Sequence, residues 1–200
     1  MRTVFKTLIS VGIAFILALG GLWCTINPQR YEESGIKNGP WATSLEAGSE
    51  EGSIYQRARV SIYGLWALEK SEVIYYVATT DSDGMNLDYN YNYTIEGKDL
   101  PARWWSITVY KDLYLIPNEK NRYSYSKTNI LYNDGKNGTT WTIRLSSKPQ
   151  EGNWLPLGDK NSTSGKREGI LCLTLRLYNP DPEVLKHPDT IQLPYIIREE

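Results

Sequence analysis

Three strand-like segments carry side chains that could recognise a ligand. Their ranges are Trp104–Tyr110, Thr139–Ser146 and Ile170–Tyr178. Because successive strand residues point to opposite sides of a sheet, each segment separates into an apolar face and a polar-aromatic face. The residues of interest on the polar-aromatic faces are Trp104, Tyr110, Arg144, Arg176 and Tyr178. Arginine binds carboxylate, phosphate or acidic sugar, and aromatic rings stack on other rings. If the strands are neighbours, the pattern predicts one ligand-binding surface; the alternative is the ordinary solvated side of an antiparallel sheet.

Two loop segments could add contacts to such a surface. The residues are Asn121, Arg122, Asn153 and Trp154. Loops held on a rigid scaffold often carry binding residues. The alternative is that these are turn residues and loop anchors that hydrogen-bond the backbone.

The chain has few side chains suited to metal binding or to histidine-dependent catalysis. His187 is the single histidine and lies in a proline-rich tail, so neither a Ser-His-Asp triad nor a multi-histidine metal site can form in a monomer except around it. The stretch "DSDGMNLD" offers oxygen ligands, but its glycine and acid spacing departs from the EF-hand loop, and we predict a turn. Cys24 and Cys172 are expected as small apolar residues without a disulfide. We therefore predict no metal and no cofactor.

An enzymatic alternative remains open at this point. With so little histidine, a hydrolase or other enzyme of the cell envelope would depend on carboxylates such as Asp112 or Glu119, together with the arginines. No catalytic motif supports this alternative, so a non-catalytic module is preferred.

Composition narrows the class of protein and of partner. The chain of 200 residues is long enough for one well-cored domain with a short appendage. Its 22 basic and 23 acidic residues leave a net charge of −1, which argues against nucleic acid as the partner. The chain has 15 Tyr and seven Trp but only two Phe, a composition that favours strands and partly solvated surfaces. We expect a β-rich domain.

The amino terminus predicts a membrane anchor. Arg2 and Lys6 precede Thr7–Ile26, a run without charge. Twenty residues at about 1.5 Å each match the roughly 30 Å hydrocarbon layer, and the preceding basic residues predict a cytoplasmic amino end. The rival is a cleaved signal peptide, because Ala18-Leu19-Gly20 has suitable small residues. Apolar residues continue beyond that point, which favours a retained single-pass anchor; either alternative exports the domain.

The rest of the chain divides into a linker and a β domain. We assign residues 1–26 to the anchor, 27–50 to a linker and 51–200 to the domain. A helical stripe predicts an amphipathic helix over Ser53–Lys70, packed against a sheet. Val73–Thr80 and Tyr89–Ile95 are interpreted as a hairpin. Many short strands without βαβ alternation predict a mainly β fold, an antiparallel β-sandwich or jelly-roll-like domain. The proline-rich end is expected to wrap the surface.

Several motifs in fixed order resemble a known bacterial family. They are "DLPARWWSITVY", "LIPNEKNRYSYS", "WTIRLSS", "NWLPLG" and "LTLRLYNPDPEVL". From about Trp41 to Pro194 they are similar to domain of unknown function 1214, and "NGPWATSLEAGS" followed by "YQRARVSIYGLWAL" resembles its short, membrane-anchored members. The resemblance implies a jelly-roll-like β-fold in a bacterial protein and brings no activity. Combined with the anchor, it predicts a single-pass inner-membrane protein with its carboxyl-terminal domain in the periplasm.

These observations favour a non-catalytic module of the cell envelope. Its role would be structural, or it would bind a glycan, lipid or protein partner on the polar-aromatic face.

Overall fold

The structure is a mainly β domain preceded by a long apolar helix. The computed structural model describes residues 2–26, 35–63, 67–111, 114–135, 138–158 and 171–199. The helices are α1 (Arg2–Ile26), α2 (Ile54–Tyr63) and α3 (Pro182–Lys186). The strands are β1 (Ile36–Asn38), β2 (Trp41–Thr43), β3 (Val73–Ala78), β4 (Asn92–Lys98), β5 (Ala102–Lys111), β6 (Tyr114–Leu115), β7 (Ser124–Ser126), β8 (Tyr132–Gly135), β9 (Gly138–Ser146), β10 (Asn153–Pro156), β11 (Leu171–Pro180) and β12 (Tyr195–Glu199).

The strands form two sheets that share one core. Sheet 1 has the order β1-β2-β3-β11-β5-β6, and β7 also pairs with β5. Sheet 2 has the order β10-β9-β4-β12, and β8 also pairs with β9. All of these pairs are antiparallel except β10 with β9, which is parallel. The predicted antiparallel β-sandwich is confirmed.

The core lies between the sheets and follows the alternation of the sequence. From sheet 1, every second residue of β11 is fully buried: Leu171, Leu173, Leu175 and Leu177. From sheet 2, Trp141, Ile143 and Leu145 of β9 are equally buried. The rings of Trp105 and Trp141 stack with centroids 5.0 Å apart, which joins the two sheets. Each buried side chain of this size contributes about 1.5–3 kcal/mol of hydrophobic free energy.

Gly97 makes room for this tryptophan pair. It lies opposite Trp141 in the pairing of β4 with β9, and a Cβ added there would overlap the indole ring. Trp141 also donates a hydrogen bond from Nε1 to the Lys98 carbonyl oxygen at 2.8 Å. The strand therefore needs a glycine here because of a close approach, not because of a turn.

The predicted hairpin between the third and fourth strands is wrong. The strands exist, but β3 lies in sheet 1 and β4 in sheet 2. β3 is flanked by β2 and β11, so it offers no edge to β4. The turn that follows β3 is closed by an isolated bridge between Thr80 and Asn86 and by backbone hydrogen bonds beside it, such as that from the Leu87 N–H to the Thr79 carbonyl oxygen at 2.7 Å.

Part of the expected linker belongs to the sheet. Residues 27–34 lie outside the described residues, but β1 and β2 form the edge of sheet 1. Trp41 is fully buried and donates a hydrogen bond from Nε1 to the Pro194 carbonyl oxygen at 2.8 Å. Strands of three residues are too short to show periodicity, so composition alone suggested a linker.

The predicted helix is shorter than expected and largely exposed. It spans Ile54–Tyr63, and residues 67–70 are not helical. The side chains of Ile54, Tyr55 and Ile62 are exposed, so they do not pack against a sheet. The contact with the domain is polar, since Gln56 donates from Nε2 to Ser44 Oγ at 2.7 Å.

The proline-rich tail crosses from one sheet to the other. Its carbonyl oxygens accept hydrogen bonds from Asn38 and Tyr76 as well as Trp41. Proline keeps its carbonyl although it lacks an N–H, so a proline-rich segment can be held in this way. The tail ends in β12, an edge strand of sheet 2.

The first helix has the length and composition of a membrane span. Within α1, Thr3–Cys24 is long and apolar enough to cross a bilayer. The described side chains of this helix are exposed, as expected for a segment whose solvent is lipid.

Candidate functional site

The outer face of sheet 1 is the side of β3, β11, β5 and β7 that points away from the core. Strand register places Tyr178 opposite Trp104, Arg176 opposite Ser106, and Cys172 opposite Tyr110. From the third strand, Tyr75 lies opposite Arg176 on its other side. The outer face therefore combines one guanidinium with aromatic rings and hydroxyl groups in a continuous array.

Arg176 is at the centre of this array. It donates hydrogen bonds to Thr108 Oγ1 at 3.2 Å and to the Tyr110 hydroxyl at 3.0 Å. Its guanidinium carbon lies 5.7 Å from the centroid of Tyr110 and 6.0 Å from that of Tyr75, within the range of cation–π attraction. The side chain is half-buried. Within the described part of the chain, no carboxylate forms an ion pair with it.

Trp104 and Tyr178 form a second aromatic group beside the arginine. Their rings meet edge to face with centroids 5.0 Å apart. Trp104 also donates from Nε1 to Thr128 Oγ1 at 3.4 Å, which fixes the indole over the turn after β7. Both side chains are half-buried, so part of each ring is accessible.

Small hydroxyl residues lie between the large side chains. Ser106, Thr108 and Ser126 are 6 to 7% exposed although they face away from the core. Ser126 Oγ is hydrogen-bonded to Asn129 Oδ1 at 3.0 Å. The outer face is thus a layer of rings and guanidinium over a floor of hydroxyl groups.

Arg144 is not part of this surface. Its strand β9 lies in sheet 2, opposite Thr94 of β4, and its side chain points to solvent on the other side of the sandwich. It donates from Nη1 to the Glu151 carbonyl oxygen at 3.0 Å. The expectation that Arg144 and Arg176 share one surface is wrong, because each sheet turns its polar face away from the common core.

Asn153 and Trp154 are buried in β10. Asn153 is 6% exposed and its amide bonds the Leu131 backbone and the Thr142 carbonyl oxygen. Trp154 is 7% exposed and donates from Nε1 to the Ser146 carbonyl oxygen at 3.0 Å. Both side chains hydrogen-bond the backbone, as the alternative interpretation describes, but from a strand and not from a loop.

Asn121 and Arg122 lie in the loop between β6 and β7. Asn121 has a positive φ of 49°, which asparagine tolerates in a turn. Arg122 donates to the Tyr125 hydroxyl and lies 5.1 Å from that ring centroid. Because the Tyr125 hydroxyl also accepts from the Trp154 N–H at 2.9 Å, Arg122 supports the junction with β10.

Among the residues that the structure describes, no two carboxylates form an acid–base pair on the outer face. Asp112 lies outside the described residues, and Glu119 is exposed in the loop before β7. Asp99 is engaged by the Trp105 indole N–H at 3.0 Å and by Lys127 at 3.0 Å. Partial burial raises the pKa of the Asp99 carboxyl, but these two partners outweigh it and hold the pKa below its ordinary value.

The acidic loop after β3 has a structural arrangement. Asp81 Oδ1 accepts hydrogen bonds from the backbone N–H groups of Asp83 and Met85, and Oδ2 pairs with Arg198 at 3.0 Å. No group of three His, Cys, Asp or Glu side chains suited to a metal ion occurs among the residues described. The Asp81 carboxylate is therefore occupied by nitrogen donors, and the stretch is a turn as predicted.

Sequence reasoning missed Tyr75 as a site residue. Its hydroxyl accepts a hydrogen bond from the Leu68 N–H at 3.1 Å, which connects the outer face to the segment after α2. The signal was present in "VIYYVA", where Ile74, Tyr76 and Ala78 are buried and Tyr75 and Val77 alternate with them. Which face Tyr75 joins depends on the pairing of β3 with β11.

The fold and the outer face define a class of protein: a small β-sandwich domain with an arginine–aromatic surface and an apolar amino-terminal helix. The family model described as "Protein of unknown function (DUF1214)" matches residues 72–182, more than half of the chain's 200 residues. The chain belongs to this family, and the predicted resemblance is confirmed. The matched range contains Trp104, Tyr110, Arg176 and Tyr178.

The fold is shared by a solved structure from another bacterium. The crystal structure of the VPA0106 protein from Vibrio parahaemolyticus has a TM-score of 0.56 and 23% identity, covering 75% of this chain and 36% of that chain. An uncharacterized protein from Burkholderia cenocepacia has a TM-score of 0.42 and 12% identity, covering 90% of this chain and 40% of that chain. The chain thus aligns with less than half the length of either relative. No protein with a curated description matches it.

Proposed function

We propose that this protein is a membrane-anchored binding module whose outer face of sheet 1 binds an acidic glycan of the cell envelope. The domain would be exported and held at the inner membrane by α1. The observation that carries the proposal is Arg176, a half-buried guanidinium between tyrosine rings with no described carboxylate partner.

The surroundings of Arg176 favour the binding of a negatively charged group from a ligand. Burying a charged side chain is costly unless it is paired, so a partly buried guanidinium without a carboxylate gains from a negatively charged partner. Thr108 and Tyr110 each accept a hydrogen bond from Arg176 and orient its guanidinium, but they supply no negative charge. A carboxylate or phosphate on a ligand would complete the pairing through charge-assisted hydrogen bonds.

The rest of the face favours a glycan over other ligands. From Trp104 to Tyr110, six residue-to-residue steps along the strand cover about 20 Å, which suits an extended ligand of several rings. Aromatic rings at both ends can pack against sugar rings, and the hydroxyl groups of Ser106 and Thr108 border the path. A lipid tail would need a continuous apolar groove, whereas this floor is polar.

Export is supported by the charges beside α1. Arg2 and Lys6 precede the apolar span, and basic residues favour the cytoplasmic side. The domain after α1 would then face the periplasm, where envelope glycans are available.

The matched pair Arg176→Ala and Arg144→Ala tests the binding face. Both residues are arginines on outward faces, but of opposite sheets. With the full chain in detergent, binding to arrays of acidic and neutral envelope oligosaccharides would be measured alongside thermal unfolding. Losing charge-assisted hydrogen bonds worth about 1.5–3 kcal/mol predicts a loss of roughly tenfold to a hundredfold in affinity for acidic glycans with Arg176→Ala.

Arg144→Ala is expected to bind like the parent, and both variants should melt near the parent temperature. Equal binding by both variants would remove Arg176 from the site. Retention of neutral glycans as strongly as acidic ones would contradict the proposed anion.

A further inference from the structure

The helix α2 carries an apolar surface that the domain leaves uncovered. Ile54 is 78% exposed, Tyr55 54% and Ile62 47%. Ile54 and Ile62 are eight residues apart with Ala58 between them, so they share one side of the helix. Leu68, just beyond the helix, is 49% exposed. Apolar side chains that form a contiguous exposed patch are typical of sites that bind a protein or a membrane.

The helix is fastened to the domain by its polar side. Gln56 binds Ser44, and Ser53, the residue before the helix, accepts a hydrogen bond at Oγ from the Gln56 N–H at 3.3 Å. After the helix, the Leu68 N–H is bound by the Tyr75 hydroxyl. Arg57 is exposed near the apolar side. The contacts of Gln56 and Leu68 therefore keep the apolar side of the helix facing outward.

The first helix keeps this surface close to the bilayer. Ten peptide steps separate Ile26, the end of α1, from Ile36, the start of β1, and a chain of that length reaches at most about 35 Å. Among the described elements, α2 also contacts α1. The tether keeps the start of the domain within about 35 Å of the bilayer. The element beside the anchor carries uncovered apolar residues.

We propose that α2 lies on the membrane surface, with Ile54, Tyr55 and Ile62 inserted at the level of the phospholipid headgroups. Short amphipathic helices bind this layer through apolar side chains on one side and basic residues at the phosphates, and tyrosine is favoured there. The partner is a phospholipid bilayer. This contact would orient the domain. It would also hold Tyr75, on the outer face of sheet 1, near the membrane.

This inference rests on the anchoring by α1 proposed above, and the experiment separates the two. Single-cysteine variants Ile13→Cys, Ile62→Cys and Leu131→Cys would be made in full-length protein carrying Cys24→Ser and Cys172→Ser. Each would be labelled with a fluorophore and reconstituted into vesicles of phosphatidylcholine and phosphatidylglycerol containing nitroxide lipid. Leu131 is the matched control, since it is 63% exposed but lies before β8.

We expect strong quenching at position 13, several-fold stronger quenching at position 62 than at 131, and little at 131. Quenching at 13 with equal, weak quenching at 62 and 131 would overturn the docking of α2 while leaving the anchor intact. Absence of quenching at 13 would overturn the anchor itself, and the docking with it.

A second measurement excludes a copy of the chain as the occupant. Disulfide cross-linking between two Ile62→Cys chains in vesicles, absent for Leu131→Cys, would show that the helix faces another copy and would overturn the lipid contact. The variant Ile54→Ser with Ile62→Ser is expected to keep its thermal unfolding temperature and to lose protection of α2 from hydrogen exchange on vesicles. Leu131→Ser should leave that protection unchanged.

Discussion

Asp99 lies in the connection between β4 and β5 and binds two side chains, those of Trp105 and Lys127. It accepts the indole hydrogen bond of the buried Trp105 and forms an ion pair with Lys127. Its side chain is 47% exposed, so solvent screens the pair and its contribution to stability is small. The pKa of this carboxyl is below its ordinary value in the folded protein, which gives a testable dependence on pH.

Asp99→Asn keeps an acceptor for Trp105 and removes the charge. A carboxyl whose pKa is lowered by folding contributes its full stability above its unfolded pKa of about 3.9, and that contribution is lost as the pH falls through the folded pKa. We therefore expect the variant to lose about 0.2–1 kcal/mol of unfolding free energy at pH 7. The difference from the parent should vanish in strongly acidic solution. Denaturant titrations across this pH range in detergent would measure it.

The control is Glu183→Gln, which breaks the exposed ion pair with Lys186. It has no buried indole partner and should change stability less at pH 7. A gap between Asp99→Asn and the parent that grew as the pH fell would contradict the prediction.

At the scale of elements, the edge strand β12 is protected by the acidic loop after β3. The Ser82 N–H donates to the Ile196 carbonyl oxygen at 2.8 Å, and the Ile196 N–H donates to Ser82 Oγ at 2.9 Å. An open strand edge invites pairing with another chain, and a covering loop prevents it. Arg198 of β12 then holds the loop through Asp81 and packs its guanidinium 4.5 Å from the centroid of Tyr91.

Arg198→Met tests this loop-to-edge connection. The Asp81 side chain is only 1% exposed, so removing its cation leaves a buried carboxylate without a charged partner. Breaking a buried ion pair from one side costs about 3–5 kcal/mol, and we expect a loss toward the lower end because Arg198 is 21% exposed. Urea unfolding of the full chain would measure the change.

Adding Asp81→Asn to Arg198→Met should recover part of the stability, since the buried charge is then absent. Lys70→Met, which breaks an exposed pair with Glu51, serves as the control and should cost less than about 1 kcal/mol. Additive losses in the double variant would argue against a direct pair.

For the whole molecule, the proposed orientation depends on few charges. Arg2 and Lys6 precede α1, but Arg30 and Lys37 also follow it closely. Because basic residues near a span favour the cytoplasmic side, the bias toward a periplasmic domain is small. The proposed glycan contact on sheet 1 requires that orientation, whereas the lipid contact on α2 requires only the anchor.

Reporter fusions at the carboxyl terminus would establish the orientation. Alkaline phosphatase, active only after export, should be active when fused to the parent, and a fluorescent protein that folds only in the cytoplasm should be dark. Arg2→Ser with Lys6→Ser is expected to lower phosphatase activity by inverting part of the population, whereas Lys37→Ser should not. A bright fluorescent fusion of the parent would refute the export of the domain.

Much of the fold followed from local patterns in the sequence. The apolar first helix is visible as an uncharged run, and the alternation in β5, β9 and β11 correctly separated core from surface, as with Trp105 and Trp104. The short strands β1, β2, β6 and β10 escaped notice because two to four residues are too few to establish a period of two. Among the candidate site residues, Trp104, Tyr110, Arg176 and Tyr178 come together, whereas Arg144 does not.

The sequence by itself determined which residues of the long strands β5, β9 and β11 face the core, because hydrophobic periodicity is a property of neighbouring residues. Only the tertiary structure decided which strands share a sheet, because that choice depends on contacts between distant parts of the chain. Arg144 and Arg176 have the same pattern around them, yet sheet pairing places them on opposite sides of the molecule. The same long-range pairing brings Tyr75 beside Arg176 and Arg198 onto Asp81.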